Sequence, residues 1–286
     1  MVAARSKFEN YHVVPLVKVH EGEDAWHFWD EILVEQIVVD YFSLRNTGRL
    51  YRPALEEGLH RALNFPGRIT VMLVGKDWEL DKLDVVRYAR DLQKMKPDAG
   101  STPDDYTYVT DLPNYRMGRI LRALDRTQEI VSMLPGMELV GIVKGSTEKE
   151  IEFHVESLMA FGIKKMAFPC SGYMKAKRYT EPMTFVRICR DKELLSWIVG
   201  ANSLGAMRRL GADCYSGSGW CYAPVALGMI YGKRKWVKVE SARFQCSHSD
   251  CQATQDLHLP SAAKARHNVR SLLDLDEELR GRTTLG

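Results

Sequence analysis

Short apolar runs recur along this 286-residue chain with amphipathic stretches between them, and that alternation restricts the fold more than any other feature. VVPLVKV from Val13, QIVVDYF from Gln36, RITVMLV from Arg68, DYTYVTD from Asp105, ELVGIV from Glu138, KKMAFP from Lys164 and LLSWIVG from Leu194 each read as a strand. Most are nearly continuous in apolar residues, as in a parallel sheet buried on both faces. Between them, YRPALEEGLHRAL, KLDVVRYARDLQKM, RMGRILRALDRTQEIVSML and TEKEIEFHVESLMAFG carry apolar residues at i, i+3, i+4 spacing with charges opposite, and read as helices. Thr147 and Glu150 have the spacing of a capping box at the start of the last one. Repeated strand–helix units imply a parallel sheet, and their number favours an α/β fold of the (β/α)8 TIM-barrel type, which folds as one unit at about 250 residues. Residues 1–232 are assigned to this barrel. Residues 233–286 leave the alternation, and no Pro- or Ser-rich linker precedes them, so they are expected to form a small appendage packed on the barrel.

Hydrophobic residues make up 45% of the chain and charged residues 27%, enough for a sizeable core. No apolar run reaches the roughly 20 residues that span a bilayer, and MVAARSKFENYH lacks the apolar segment of a secretory signal. Six cysteines without a framework of regular spacings fit a reducing compartment, so a cytoplasmic location is expected. The net charge of +3 is too small to argue for nucleic acid by itself. Its distribution is more telling: basic residues cluster in GIKKM, YMKAKRY, AMRRL, YGKRKWVK and KARHNVR. A surface facing phosphates and an ordinary solvated face both account for these clusters.

One short stretch stands apart from the alternation. FQCSHSDC, Phe244 to Cys251, holds Cys246, His248 and Cys251 in a C-x-H-x2-C spacing, with His258 and His267 following. Thiolates and imidazoles brought this close can converge on zinc, which takes four such ligands in a tetrahedron. A polar loop that happens to hold two thiols is the plainer alternative.

The strand ends carry the chemistry in such a barrel. Their ordered series, VTDLPNY, GIVKGS, FPCSGY, IVGANSLGAMRRLGADCYSGSGW and FQCSHSDC, closes with RHNVRSLLDLDEELR. It resembles the tRNA-guanine transglycosylase superfamily, which exchanges a guanine in nucleic acid for a 7-deazaguanine base. The likeness runs from about Val39 to Arg280 and is weakest before residue 100. GIVKGS, Gly141 to Ser146, is similar to the family's GIVQGG, and SWIVGANSLGAMRRLGAD, Ser196 to Asp213, to the segment leading to its nucleophile. The family's zinc motif, C-x-C-x2-C followed by a helix opening His-Asn, has its counterpart in Cys246, His248, Cys251 and the His267–Asn268 pair. The resemblance therefore implies a structural zinc on those four residues, with His258 second to His267.

It also implies roles at the barrel mouth. Base exchange needs a carboxylate that attacks C1′ and forms a covalent intermediate, which the incoming base displaces. Asp111 of VTDLPNY takes the place of the family's base-binding aspartate, although an Asx-turn before Pro113 would also use it. Lys144 replaces the family's glutamine, and Gly145, Ser171 and Gly172 fall at the glycine-rich strand ends that contact the base. In an ungapped register the two catalytic aspartates of the family fall on Val74 and Ser216. The nearby carboxylates Asp213 and Asp77 are then the catalytic candidates, with Asp213 as nucleophile. Tyr173, Tyr215 and Trp220 are candidate stacking partners for a base turned out of its helix. Short members of this kind resemble the DNA-modifying branch of phages and bacterial modification clusters, which inserts bases such as preQ0. DNA is thus the expected partner, tRNA the alternative, and a non-catalytic subunit or homodimer partner the reading from another class.

Overall fold

The computed structural model describes residues 12–19, 27–201, 203–220, 229–232, 235–238 and 261–283. Eight parallel strands close into a barrel: β1 (His12–Val17), β2 (Gln36–Asp40), β3 (Arg68–Met72), β4 (Ala99–Ser101), β5 (Glu138–Ile142), β6 (Lys165–Pro169), β7 (Leu195–Val199) and β8 (Cys214–Gly217). Each pairs with the next, and β8 closes the ring on β1 through the register His12–Cys214 to Pro15–Gly217.

Period-two alternation sorts the strand residues into two apolar sets. Val14, Leu16, Val38, Met72, Val140, Ile142, Ala167, Trp197 and Val199 fill the barrel interior. Their neighbours Val13, Val17, Ile37, Val39, Ile69 and Val71 belong to the larger core shared with the helices. Both strand faces are therefore apolar, which is why the strands read as continuous hydrophobic runs.

Most of the amphipathic stretches fold as read. Helices span Val85–Met95, Pro113–Met133 and Glu148–Ala160, while YRPALEEGLHRAL divides at Gly58 into Gly48–Glu57 and Leu59–Leu63. The capping box is present, with Thr147 accepting from the Glu150 N–H and Glu150 reaching back to the Thr147 N–H. The helix Ser261–Thr283 packs on β1, where Asp276 Oδ1 accepts a bond of 3.0 Å from the Val13 N–H. Ala265, Val269, Leu272, Leu275 and Leu279 form its buried stripe. No helix among the described residues is long and apolar enough to cross a membrane.

The fourth strand corrects one expectation. DYTYVTD is not a strand; the sheet uses Ala99–Ser101, and residues 102–112 lead from it to the helix Pro113–Met133. Ala, Gly and Ser have weak strand preference, so this segment carries little signal in the sequence. Tertiary contacts hold it instead. Ser101 Oγ accepts from the Leu73 N–H at 2.8 Å, and the Tyr88 hydroxyl donates to Ser101 O at 3.0 Å. Gly100 is required by close packing, because a Cβ there would lie 2.6 Å from Leu92 Cδ1.

Candidate active site at the barrel mouth

The interior set continues one step past the apolar layer. Two residues beyond Leu16, Val38, Met72, Ile142 and Ala167 come Lys18, Asp40, Val74, Lys144 and Pro169, and all five line one cavity of about 910 Å³ at the C-terminal ends of the strands. Strand periodicity thus sets three charged residues, Lys18, Asp40 and Lys144, above the apolar ring where the barrel opens. The β4 connection adds Asp104 through Thr110, the turn after β3 adds Gly75 to Asp77, and the turn after β6 adds Ser171 to Tyr173.

Asp104 and Lys144 face each other across this mouth, with Nζ 2.8 Å from Oδ1. The ammonium is the partner of Oδ1 in an otherwise buried setting. Burial pushes the Asp104 carboxyl above the ordinary aspartate range, and the Lys144 ammonium pulls against it. Thr107 Oγ1, also on the cavity wall, is buried with no partner among the described residues. A buried hydroxyl that lacks a partner is costly unless a ligand or water completes it.

Asp105 is fixed differently. Arg122 grips it through Nε–Oδ2 at 2.6 Å and Nη2–Oδ1 at 2.7 Å, leaving neither oxygen uncommitted. Arg119 lies over the Tyr106 ring at 3.9 Å and also reaches Asp81, which ties the β4 connection to the helix Asp77–Asp81.

The expected site residues divide between mouth and scaffold. Lys144, Asp77, Ser171 and Gly172 line the cavity. Asp77 accepts from the Tyr108 hydroxyl at 2.5 Å, which holds the rim aromatic in place. Asp111 does not line the cavity: its Oδ2 accepts from the Tyr108 N–H three residues back at 2.8 Å, and its own N–H donates to the Tyr108 carbonyl, so it closes the turn Tyr108–Asp111 and not an Asx-turn before Pro113. Gly145 is buried behind the mouth, where a Cβ would lie 2.8 Å from Ile151 N, and its carbonyl accepts from the Tyr173 hydroxyl.

Asp213 sits at the other end of the barrel. It precedes the first residue of β8, and its Oδ2 accepts from Ser196 N at 2.8 Å and Ser196 Oγ at 2.7 Å near the start of β7. A four-residue strand separates it from the mouth, roughly 13 Å of chain. Gly211 explains the placement. With φ +63° it caps the helix Leu204–Leu210, so GAD is a helix-to-strand turn and lies on the face opposite the cavity. Ser216 is sealed inside the barrel, accepting from Trp197 Nε1 and donating to Val14 O. Of the stacking candidates, Tyr173 lines the cavity, whereas Tyr215 and Trp220 are fully buried in the core.

Among the basic clusters, YMKAKRY flanks the mouth, and its Arg178 lines the cavity. GIKKM lies at the opposite face, where Lys165 pairs with Glu138 at 2.7 Å. Cys246, His248, Cys251 and His258 lie outside the described residues. His267, the remaining expected zinc ligand, is buried on the helix Ser261–Thr283 with Nε2 3.5 Å from Ser271 Oγ. No group of three or more metal-binding side chains occurs among the described residues.

Sequence reasoning missed Asp40 and Asp104. Each had a signal: Asp40 ends the apolar run IVVD, and Asp104 belongs to the first acidic pair after β4. Fold and cavity together define a (β/α)8 barrel with a cavity at its C-terminal mouth, lined in part by charged side chains. No protein-family model matches the chain, and no curated protein matches it.

Proposed function

We propose that this chain is a guanine transglycosylase that replaces guanine in DNA with a 7-deazaguanine base of the preQ0 type. The observation that carries the reading is the Asp104–Lys144 couple at the cavity floor, a carboxylate acceptor beside an ammonium donor. Guanine presents the complementary edge, with O6 accepting and N1–H and the 2-amino group donating. The 7-deaza analogues keep that edge, so one pocket serves both the leaving and the entering base. A cavity of about 910 Å³ has room for a nucleoside. In this reading Lys144 takes the role of an amide donor toward O6, and Asp104 replaces Asp111 as the base-binding aspartate.

Tyr173 on the wall and Arg178 at the rim supply a stacking face and a phosphate contact for the strand entering the mouth. The proposal keeps a structural zinc on Cys246, His248, Cys251 and His267; two thiolates and two imidazoles are a donor set that suits the ion. Bound there, zinc would tie the segment 246–251 to the C-terminal helix and leave no open position for chemistry. About one zinc per chain is expected by atomic emission, falling well below that in Cys246→Ser and Cys251→Ser.

Base exchange is the direct test. Purified protein is incubated with labelled preQ0 or guanine and either duplex DNA or tRNA. Label entering DNA alone supports the proposal, entry into tRNA alone makes the chain the tRNA counterpart, and no entry from folded, zinc-loaded protein leaves a non-catalytic subunit. In the active arm, Lys144→Met is expected to lower kcat/KM by about 10²–10³-fold, because the donor aimed at the departing base is gone. Lys144→Gln should restore part of that loss. Equal activity of wild type and Lys144→Met would remove Lys144 from base recognition.

A further inference from the structure

We propose that Asp40 is the nucleophile of the base exchange, an inference that rests on the transglycosylase reading above. The positions where the resembling family carries its catalytic aspartates are Val74 and Ser216 here, and neither is a carboxylate. Asp213 faces away from the mouth. The attacking group must therefore be sought among the carboxylates of the cavity wall, which are Asp40, Asp77, Glu79, Asp104 and Asp105.

Four of these have other work. Asp105 is gripped by Arg122, and Asp77 holds the Tyr108 hydroxyl. Glu79 Oε2 accepts from the Lys76 N–H at 2.8 Å and closes a helix start, while Asp104 faces Lys144 for the base edge. Asp40 also caps a helix, Tyr41–Asn46, through Oδ1, but its strand position sets it apart. It stands on the inward-facing position of β2 directly above Val38, so its side chain is aimed at the barrel axis rather than at the rim. Its Oδ1 accepts from the Ser43 N–H at 2.6 Å, which holds the carboxylate in place at the strand end. Like Asp104 and Asp105, it is almost wholly buried yet lines the cavity.

Its neighbour keeps it chemically useful. The β1–β2 register pairs Leu16 with Val38 and Val17 with Val39, so the next inward pair is Lys18 and Asp40. Burial raises the Asp40 carboxyl above the ordinary range and Lys18 opposes that rise. The result is a carboxylate more basic than one in water, with a cation at hand for its ionised form. β2 and β4 are separated by β3 alone, a backbone gap of roughly 10 Å. Asp40 and Asp104 line the same cavity, so a guanosine held by its edge at Asp104 would present its sugar to the wall that carries Asp40.

The step balances without another reactant. Asp40 Oδ2 bonds to C1′ as the C1′–N9 bond breaks, and the electron pair leaves with guanine, which takes up a proton. The incoming 7-deazaguanine then bonds to C1′ through N9 and gives up its N9 proton, while the C1′–O bond breaks and returns the carboxylate. The two proton transfers cancel.

The experiment compares wild type, Asp40→Asn and Asp213→Asn on whichever nucleic acid accepts label. Asparagine caps a helix about as well as aspartate, so Asp40→Asn should keep the Ser43 contact and the fold. Circular dichroism and guanine binding by calorimetry check that, with an expected Kd within a few-fold of wild type. Protein incubated with oligonucleotide and no incoming base is denatured and digested, and the covalent adduct is located by mass spectrometry. The expected result is an adduct on the peptide containing Asp40, lost in Asp40→Asn together with at least about 10³-fold of exchange. Asp213→Asn should exchange near the wild-type rate. An adduct on another residue, or Asp40→Asn exchanging within tenfold of wild type, overturns this assignment and leaves the transglycosylase reading standing. A wild-type protein that exchanges on neither nucleic acid overturns both.

Discussion

Replacing Arg116 with methionine is expected to lower the unfolding free energy by about 3–5 kcal/mol. Arg116 and Glu150 form an ion pair in which both side chains are only 7% exposed, with Nη2–Oε1 at 2.9 Å and Nε 3.0 and 3.1 Å from the two oxygens. Glu150 also accepts from the Ser146 and Thr147 N–H groups. Burial pushes its carboxyl up, but Arg116 and those backbone donors outweigh burial and hold it below the ordinary glutamate range. Removing the guanidinium leaves a buried charge without its main partner, which costs far more than an exposed pair is worth.

The consequence reaches the mouth. Arg116 donates to the backbone carbonyls of Val109 and Asp111, so it pins the β4 connection whose Tyr108, Val109 and Thr110 line the cavity. Glu150 holds the turn that follows Lys144. The pair thus ties both walls of the site to each other. Urea unfolding at pH 7 checks the prediction through the midpoint at unchanged slope. Adding Glu150→Gln should recover part of the loss, because the neutral amide still accepts from the capping N–H groups. A loss under about 1 kcal/mol for Arg116→Met would mean that the pair is far better solvated than its burial implies.

The barrel was legible because its signal is redundant. Strand runs such as RITVMLV and ELVGIV are apolar on both faces, and a single misjudged residue does not hide them. Ala99–Ser101 fails that test: three small residues carry no pattern, and their strand exists through Tyr88, Leu73 and the packing of Leu92 on Gly100. The misplaced strand carried the site reading with it. Taking DYTYVTD as the strand put its end at Asp111, when the true end is at Ser101 and the first carboxylates beyond it are Asp104 and Asp105.

Asp213 shows a second limit. GAD followed by CYSGSGW reads equally as a strand end or a strand start, and the left-handed Gly211 that caps the preceding helix shows that the chain is entering the barrel there. Helix–strand order alone would have given this: a turn that follows a helix and precedes a strand lies on the N-terminal face. Asp40 was hidden for a different reason. One aspartate after three apolar residues is also an ordinary helix cap, and Asp40 does cap Tyr41–Asn46. Its catalytic interest comes from facing the axis, which is visible only once Val38 is known to point inward.

Acidification is expected to destabilise the fold between about pH 6.5 and pH 4 through His154. This imidazole is buried on the helix Glu148–Ala160, and the Lys144 N–H lies 3.0 Å from its Nδ1. The Lys144 carbonyl oxygen lies 3.3 Å from the same Nδ1, so the ring can accept from the N–H or donate to the carbonyl, while Nε2 is buried with no partner among the described residues. A second ring proton would put a positive charge in a buried setting beside the Lys144 ammonium. Burial, first, and Lys144 lower the His154 pKa from 6.5 to about 4, against the favourable Lys144 backbone contact.

The sign follows from linkage. The unfolded chain takes up this proton near the ordinary histidine value and the folded chain resists until about 4. Stability from this group is therefore complete above the unfolded pKa and is lost as pH falls toward the folded one. Each unit of separation is worth about 1.4 kcal/mol, so the full loss is on the order of 3 kcal/mol. His154→Asn can place an amide oxygen near the position of Nδ1 and does not titrate. Its unfolding free energy should fall below wild type at pH 7 and converge with it, or cross it, as pH drops through that window. Parallel pH profiles for the two proteins would show that His154 takes no part in acid unfolding. A flattened profile in the variant would identify the residue that holds the Lys144 backbone in place as the fold's acid-sensitive point, so that loss of the base-binding lysine's position and loss of stability come together.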